Sequence, residues 1–148
     1  MIIKRRKLLK GDKAKLLPNL DYLEREIQFL PKYQEEVDWK VYQSVREKRL
    51  EIERWVESLI NATLDLSKMI LTLKGKEVPE TSRELLFKMA SLIFDKEDEA
   101  EKFSEAAKIR NTLAHRYLDL RWQDIKRFIA IAQELYPAFI SYLKGEVL

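Results

Sequence analysis

DWKVYQSVREKRLEIERWVESLINATLDLSKMILTLK, residues 38–74, decides the fold of this chain. Val45, Ile52, Leu59, Leu66 and Leu73 fall seven residues apart along it. Trp55, Val56, Thr63, Met69 and Ile70 widen the same stripe, which is the pattern of an amphipathic helix. Neither Gly nor Pro interrupts it, and Gly75 stands where a helix commonly ends in the left-handed conformation. About 36 residues at ~1.5 Å each predict a rod of roughly 54 Å. That is more than a small bundle needs, so either part of the stripe packs on a second subunit or the rod kinks around its own core. The seven-residue spacing favours near-antiparallel neighbours at a shallow crossing angle.

On the N-terminal side, Leu16, Leu20, Leu23, Ile27 and Leu30 recur at steps of three and four, predicting a first helix near 15–33. Pro18 is expected in its first turn, and Pro31 is expected to kink or end it. On the C-terminal side, residues 76–80 read as a loop. Thr81 followed by Glu84 forms a capping box for a third helix, with Leu85, Met89 and Ile93 inward. Asp95, followed by Asp98, is expected to cap a fourth. Phe103, Ala106, Ala107 and Leu113 give that helix a slim face which lets a neighbour approach closely. Residues 118–122 read as a turn. The last helix is predicted over about 122–143, with Ile125, Ile129, Ala132, Leu135, Phe139 and Leu143 inward and a kink at Pro137. The fold class is therefore all-α: an antiparallel bundle of about five helices, the second very long.

Composition agrees. The 148 residues hold only 3 Gly and 4 Pro, and no Cys, so disulfides and thiolate metal sites are excluded. No apolar run approaches the ~20 residues of a membrane span, and the first residues lack the pattern of a signal peptide, so a cytoplasmic protein is expected. The net charge of +3 is unevenly placed: seven of the 28 Lys and Arg lie in residues 1–15, against Asp12 alone. The remaining chain carries 21 basic and 24 acidic residues. Residues 1–11 thus read as a basic arm on a single domain spanning 12–148. Such an arm is attracted to phosphate backbones without sequence preference, or serves simply as a solvated tail.

One stretch stands apart: Arg110-Asn111-Thr112-Leu113-Ala114-His115-Arg116-Tyr117, which holds the only histidine. Arg110 and His115 are five residues apart, about 140° around a regular helix, so they share no face unless the helix ends here. Asn111 and His115 do share one. An imidazole can accept and return protons near neutral pH, and a guanidinium holds phosphate bidentately. RNA supplies its own nucleophile, the 2′-hydroxyl, so this pair needs neither a metal nor a cofactor. One histidine per chain supplies one proton-transfer group, and a two-fold dimer apposing two such corners would supply the second. The plainer alternative is a histidine that only partners the last carbonyls of a helix. Phosphate-cradling glycine loops and metal-ligand spacings are absent.

The motif Arg110-x4-His115-x-Tyr117, as RNTLAHRY, resembles the signature of HepT-type HEPN toxins. The helix layout and the Tyr-Leu-Asp-Leu-x-Trp passage into the last helix extend the resemblance over roughly residues 12–143. It implies a homodimer with a cleft at the two-fold axis, lined by both motifs. It also implies a metal-independent endoribonuclease toxin of a toxin–antitoxin pair, acting on RNA such as tRNA or mRNA. Arg110 and His115 would be catalytic, with Asn111 and Arg116 assisting or binding substrate. The implied partner is a nucleotidyltransferase of the MntA type, which transfers AMP from ATP to the motif tyrosine, here Tyr117. The basic arm is not a feature of that family core. A competing reading from another class is a non-catalytic helical module that binds a nucleotidyltransferase and its substrate. Retention of both Arg110 and His115 favours the ribonuclease.

Overall fold

Pro31 splits the first predicted helix in two. In the computed structural model, which describes residues 10–147, α1 (Lys10–Ile27) ends at the residue whose carbonyl Pro31 cannot serve, and α2 (Leu30–Glu36) opens with Pro31 in its first turn. Trp55 Nε1 donates to the Glu26 carbonyl at the break, 2.9 Å away. Pro18 lies inside α1, not in its first turn, because the helix already begins at Lys10; it is exposed, so the missing N–H falls on the solvent side. Residues 1–9 of the predicted basic arm lie outside the described residues.

The long second rod is also broken once. α3 (Trp39–Ser44) ends at Val45, whose φ of −106° and ψ of 95° are extended, and α4 (Arg46–Leu73) starts directly after it. Asp38 caps α3 by accepting from the Val41 N–H. Arg49 Nη1 reaches back to the carbonyls of Tyr42 and Gln43, 3.0 and 3.1 Å away, satisfying groups the break leaves open. Val45, the first member of the seven-residue stripe, is exposed, whereas Ile52, Leu59 and Leu66 are fully buried. The continuous helix is therefore 28 residues, or roughly 42 Å, rather than 54 Å.

The remaining elements follow the predicted order, with shifted ends. Lys76 N–H bonds the Leu71 carbonyl and Gly75 N–H the Thr72 carbonyl, at 2.8 and 3.0 Å, with Gly75 at φ +70°, as its place past the helix end required. α5 (Ser82–Ser91) is capped by Thr81 Oγ1, which accepts from Glu84 N–H at 3.1 Å. α6 (Glu97–Thr112) takes Lys96, not Asp95, as its N-cap, and Glu97, Asp98 and Glu99 fill the first turn that the helix dipole favours for acids. α7 (Leu118–Val147) starts four residues earlier than expected, so residues 118–122 are its first turn and not a link. It runs on through Pro137. Seven segments thus replace the five expected helices because the first and second rods are each broken once; among the described residues there is no strand.

Side-chain bonds fix the directions. Glu53–Arg121, Thr63–Tyr136 and Lys74–Glu146 join α4 to α7 in rising order, so these two helices run parallel. α6 and α1 run against them, as Lys102–Glu134 with Glu105–Arg127, and Asn19–Met69 with Glu26–Trp55, show. This is an up-and-down bundle with α4 and α7 on its diagonal. At its centre Phe103, Tyr136 and Phe139 pack ring to ring at 5.1 to 5.8 Å. The buried Thr63 hydroxyl is satisfied twice, by Tyr136 OH and by the Leu59 carbonyl, both at 2.7 Å.

Three phenols make the fold sensitive to alkali. Burial and, next, Glu51 push Tyr33 up to about 12. Burial and the bond to Glu53 raise Tyr42, and burial raises Tyr136. Between the ordinary tyrosine value near 10 and these raised values, the unfolded chain has released protons that the native chain keeps. Stability is therefore fully present below about pH 10 and lost as pH climbs toward 12. Melting followed by circular dichroism should show that decline, and Tyr33→Phe should blunt it.

Candidate active site at the corner between α6 and α7

The eight-residue motif divides at a helix end. Arg110, Asn111 and Thr112 form the last turn of α6, and Leu113 closes it with its N–H on the Ile109 carbonyl at 3.1 Å. Ala114 and His115 make one further pair of short-range bonds, to Asn111 and Thr112 carbonyls at 3.4 and 3.1 Å. Residues 113–117 are then the link, and Arg121 N–H takes the Tyr117 carbonyl at 3.2 Å as α7 begins. Nothing apolar on His115, Arg116 or Tyr117 is claimed by the core. All three are exposed, Tyr117 at 70%, as is Asn111, whereas Arg110 is half-buried.

Arg110 does not bond His115. Its Nη1 donates to Asn61 Oδ1 on α4 at 3.3 Å, which holds the guanidinium at the rim of the corner. Because α6 ends at Thr112, His115 lies past the helix, and the ~140° of a regular helix does not describe its place relative to Arg110. Asn111, Arg116 and Tyr117 sit on the same short segment but, among the described residues, make no side-chain bond to Arg110 or His115.

A second anchor fixes the far side. Arg121 meets both oxygens of Glu53, at 3.2 and 3.1 Å, and the Tyr42 hydroxyl bonds the same carboxylate. Glu53 and Asn61 are eight residues apart on α4, about 12 Å. The motif loop thus bridges two pinned points of one rigid helix. Sequence reasoning found neither Asn61 nor Glu53: Asn61 lies 49 residues from Arg110, and only the folded pairing of α4 with α6 joins them.

Chemically, the end of α6 and the link after it carry two guanidinium groups, one imidazole and one phenol, directly before the first turn of α7, which itself holds Asp119. A helix N-terminus favours anions, and Arg110 offsets the opposite polarity of the α6 C-terminus. Among the described residues no three His, Asp or Glu side chains converge to hold a metal. No helix among them is long and apolar enough to cross a membrane.

An all-α bundle with Arg-x4-His-x-Tyr at an open helix corner defines a HEPN-like domain. The family model described as ribonuclease HepT-like matches residues 23–144, and the chain belongs to that family. The match takes in all of α2 to α6, most of α7 and the whole motif. It carries ribonuclease chemistry, and RNA as substrate, at the level of the family. No curated protein matches the chain.

Proposed function

We propose that this chain is a metal-independent endoribonuclease, the toxin subunit of a toxin–antitoxin pair acting in the cytoplasm. What supports the reading is an exposed His115 just past the end of the helix whose last turn carries Arg110, itself held by Asn61. In this reading Arg110 binds the scissile phosphate and stabilises charge on its non-bridging oxygens. The RNA 2′-oxygen attacks phosphorus, the bond to the 5′-oxygen breaks, and a cyclic phosphate and a 5′-hydroxyl result. His115 moves one of the two protons involved. The second proton-transfer group comes from the same residue of a second subunit across a two-fold cleft. Asn111 and Arg116 bind the flanking backbone.

Tyr117 is the regulatory end of the same proposal. Its phenol, on a residue 70% exposed, takes AMP from ATP by attack on the α-phosphorus with departure of pyrophosphate. The enzyme is a partner nucleotidyltransferase of the MntA type. The added anion sits beside Arg110 and Arg116 and competes with RNA phosphate for them.

The test is incubation of the purified protein with total tRNA and mRNA in EDTA, with mapping of the product ends. Cyclic phosphate and 5′-hydroxyl ends in the wild-type reaction support the reading. Equal cleavage by His115→Ala protein would point to a contaminant. Silence from unmodified wild type would favour the module that binds a nucleotidyltransferase without cleaving.

A further inference from the structure

The break at Val45 does more than shorten α4. It turns α3 so that Trp39 and Tyr42 meet Trp122 on α7. Ring centroids lie 6.2 Å apart for Trp39–Trp122 and 5.0 Å for Tyr42–Trp122. Tyr42 is fully buried and Trp122 nearly so, but Trp39 leaves 37% of its surface to solvent. Beside this cluster runs an open groove of about 430 Å³ between α2–α3 and α7. Val37, Ile129 and Trp122 supply its apolar walls, with Gln34, Gln133 and Lys126 as polar groups. That is a size and a balance of surfaces suited to a small planar ligand.

We propose that this groove is a nucleobase subsite, which holds an unpaired base of the RNA substrate at its Asp38 end, where the exposed ring of the adjoining Trp39 is free to stack on it. The inference rests on the ribonuclease reading and names where the strand goes after leaving the cleavage corner. Trp122, the groove residue nearest the motif in sequence, is the fifth residue of α7, so the groove begins about one turn into that helix and around it from Tyr117. A strand held by Arg110 and Arg116 passes the start of α7 to reach it. Every base has a π-face, and exposed aromatic rings stack single-stranded bases with little sequence preference.

The polar groups fit the same occupant. Lys126 lines the groove, and Lys40 follows Trp39 on α3, so cations are placed for the phosphates on either side of a stacked base. Gln34 donates to Gln133 Oε1 at 3.3 Å, which leaves the Gln133 amide N–H groups and the Gln34 carbonyl for a base edge. Asp38, also on the rim, spends one oxygen on the Val41 N–H, and its other oxygen can accept from an exocyclic amine. The more enclosed cavity lined by Arg83, Glu105, Lys108 and Arg127 is less apt, since both of its arginines are already paired with acids.

The experiment measures binding of a fluorescent, fully 2′-O-methylated RNA 12-mer of mixed sequence by anisotropy at low salt. Its blocked 2′-oxygen cannot attack, so affinity is read without cleavage. Trp39→Ala is expected to weaken binding about 5- to 100-fold, the range of one lost base stack. Trp39→Phe should retain most of the affinity, and Lys126→Glu should weaken it without touching the core. Melting curves of all three variants establish that they are folded.

Unchanged affinity in Trp39→Ala, or no binding by wild type, overturns the proposal. So does a change in oligomeric mass in Trp39→Ala or Lys126→Glu with RNA affinity intact, which would give the groove to a second copy of the chain. Trp39-dependent binding by a protein that cleaves nothing would sink the ribonuclease reading and leave the subsite standing. Cleavage with the same KM in Trp39→Ala would do the reverse.

Discussion

His115→Ala protein is expected to cleave RNA at least ~100-fold more slowly than wild type, with its melting temperature unchanged. The size follows from the role: a positioned proton-transfer group contributes roughly 10²- to 10⁴-fold. The unchanged stability follows from the position. The imidazole is exposed, and the only bond the residue makes among those described is its backbone N–H to the Thr112 carbonyl, which alanine keeps. Substitutions at such positions usually stay within about 0.5 kcal/mol. Arg110→Ala should lose a comparable 10²- to 10³-fold, as expected for removing one group that stabilises developing charge. Arg110→Lys should recover only part of it, because an ammonium cannot reproduce the two-pronged grip on phosphate. The double variant should be little worse than either single one if the two residues act as a unit. Initial rates on a labelled oligoribonucleotide decide this. A His115→Ala rate within tenfold of wild type would remove the histidine from the chemistry.

Phe103→Ala is expected to cost about 3–5 kcal/mol, the largest stability effect of a single substitution here. Phe103 is fully buried on α6 and touches Phe94, Tyr136 and Phe139, with centroids 5.1 to 6.0 Å away. Its helix neighbours Ala106 and Ala107 are already small, so no long side chain on that face can swing in to fill the hole. Tyr136 is held by its hydroxyl bond to Thr63 and cannot follow either. For a chain of this length the loss corresponds to a fall of roughly 6–20 °C in melting temperature. Below the new transition, cleavage should persist at a reduced rate, because α6 carries Arg110 to its bond with Asn61. Urea titration giving less than ~1 kcal/mol would mean that the bundle closes around the gap.

Much of this fold was legible because its helices carry local signatures. The stripe from Ile52 to Leu66, the Thr81 cap and the left-handed Gly75 are each decided by residues a few positions apart, and each lies where it was expected. The breaks were not legible in the same way. Val45 ends a helix because Arg49 satisfies two carbonyls behind it and because Tyr42 is drawn onto Trp122, which lies 80 positions further along the chain. Without that tertiary pull, helix continuity was the better inference. The start of α7 was missed because Leu118 to Trp122 looks like a turn between two apolar stripes, whereas Arg121 binds Glu53 and secures the first turn as helix.

The motif was legible as a run of residue types, but its placement was not. Spacing put Arg110 and His115 on different faces of one helix, whereas the fold ends that helix at Thr112 and leaves His115 beyond it. Asn61 and Glu53, which pin the corner at both sides, belong to α4 and carry no mark in the sequence that sets them apart from other polar residues on its outer face. Their importance is a property of the contact, not of the residue.

The two pinned points leave a short stretch of chain between them with little to hold it. Residues 113–117 keep only a few backbone bonds at their ends, the longest at 3.4 Å, and the three residues that matter most are exposed. Amide protons there should exchange with solvent far sooner than those of α4, since local opening of such a segment costs a small fraction of global unfolding. If Tyr117 is modified as proposed, a partner enzyme would reach its phenol by displacing only these few residues, with the bundle folded throughout.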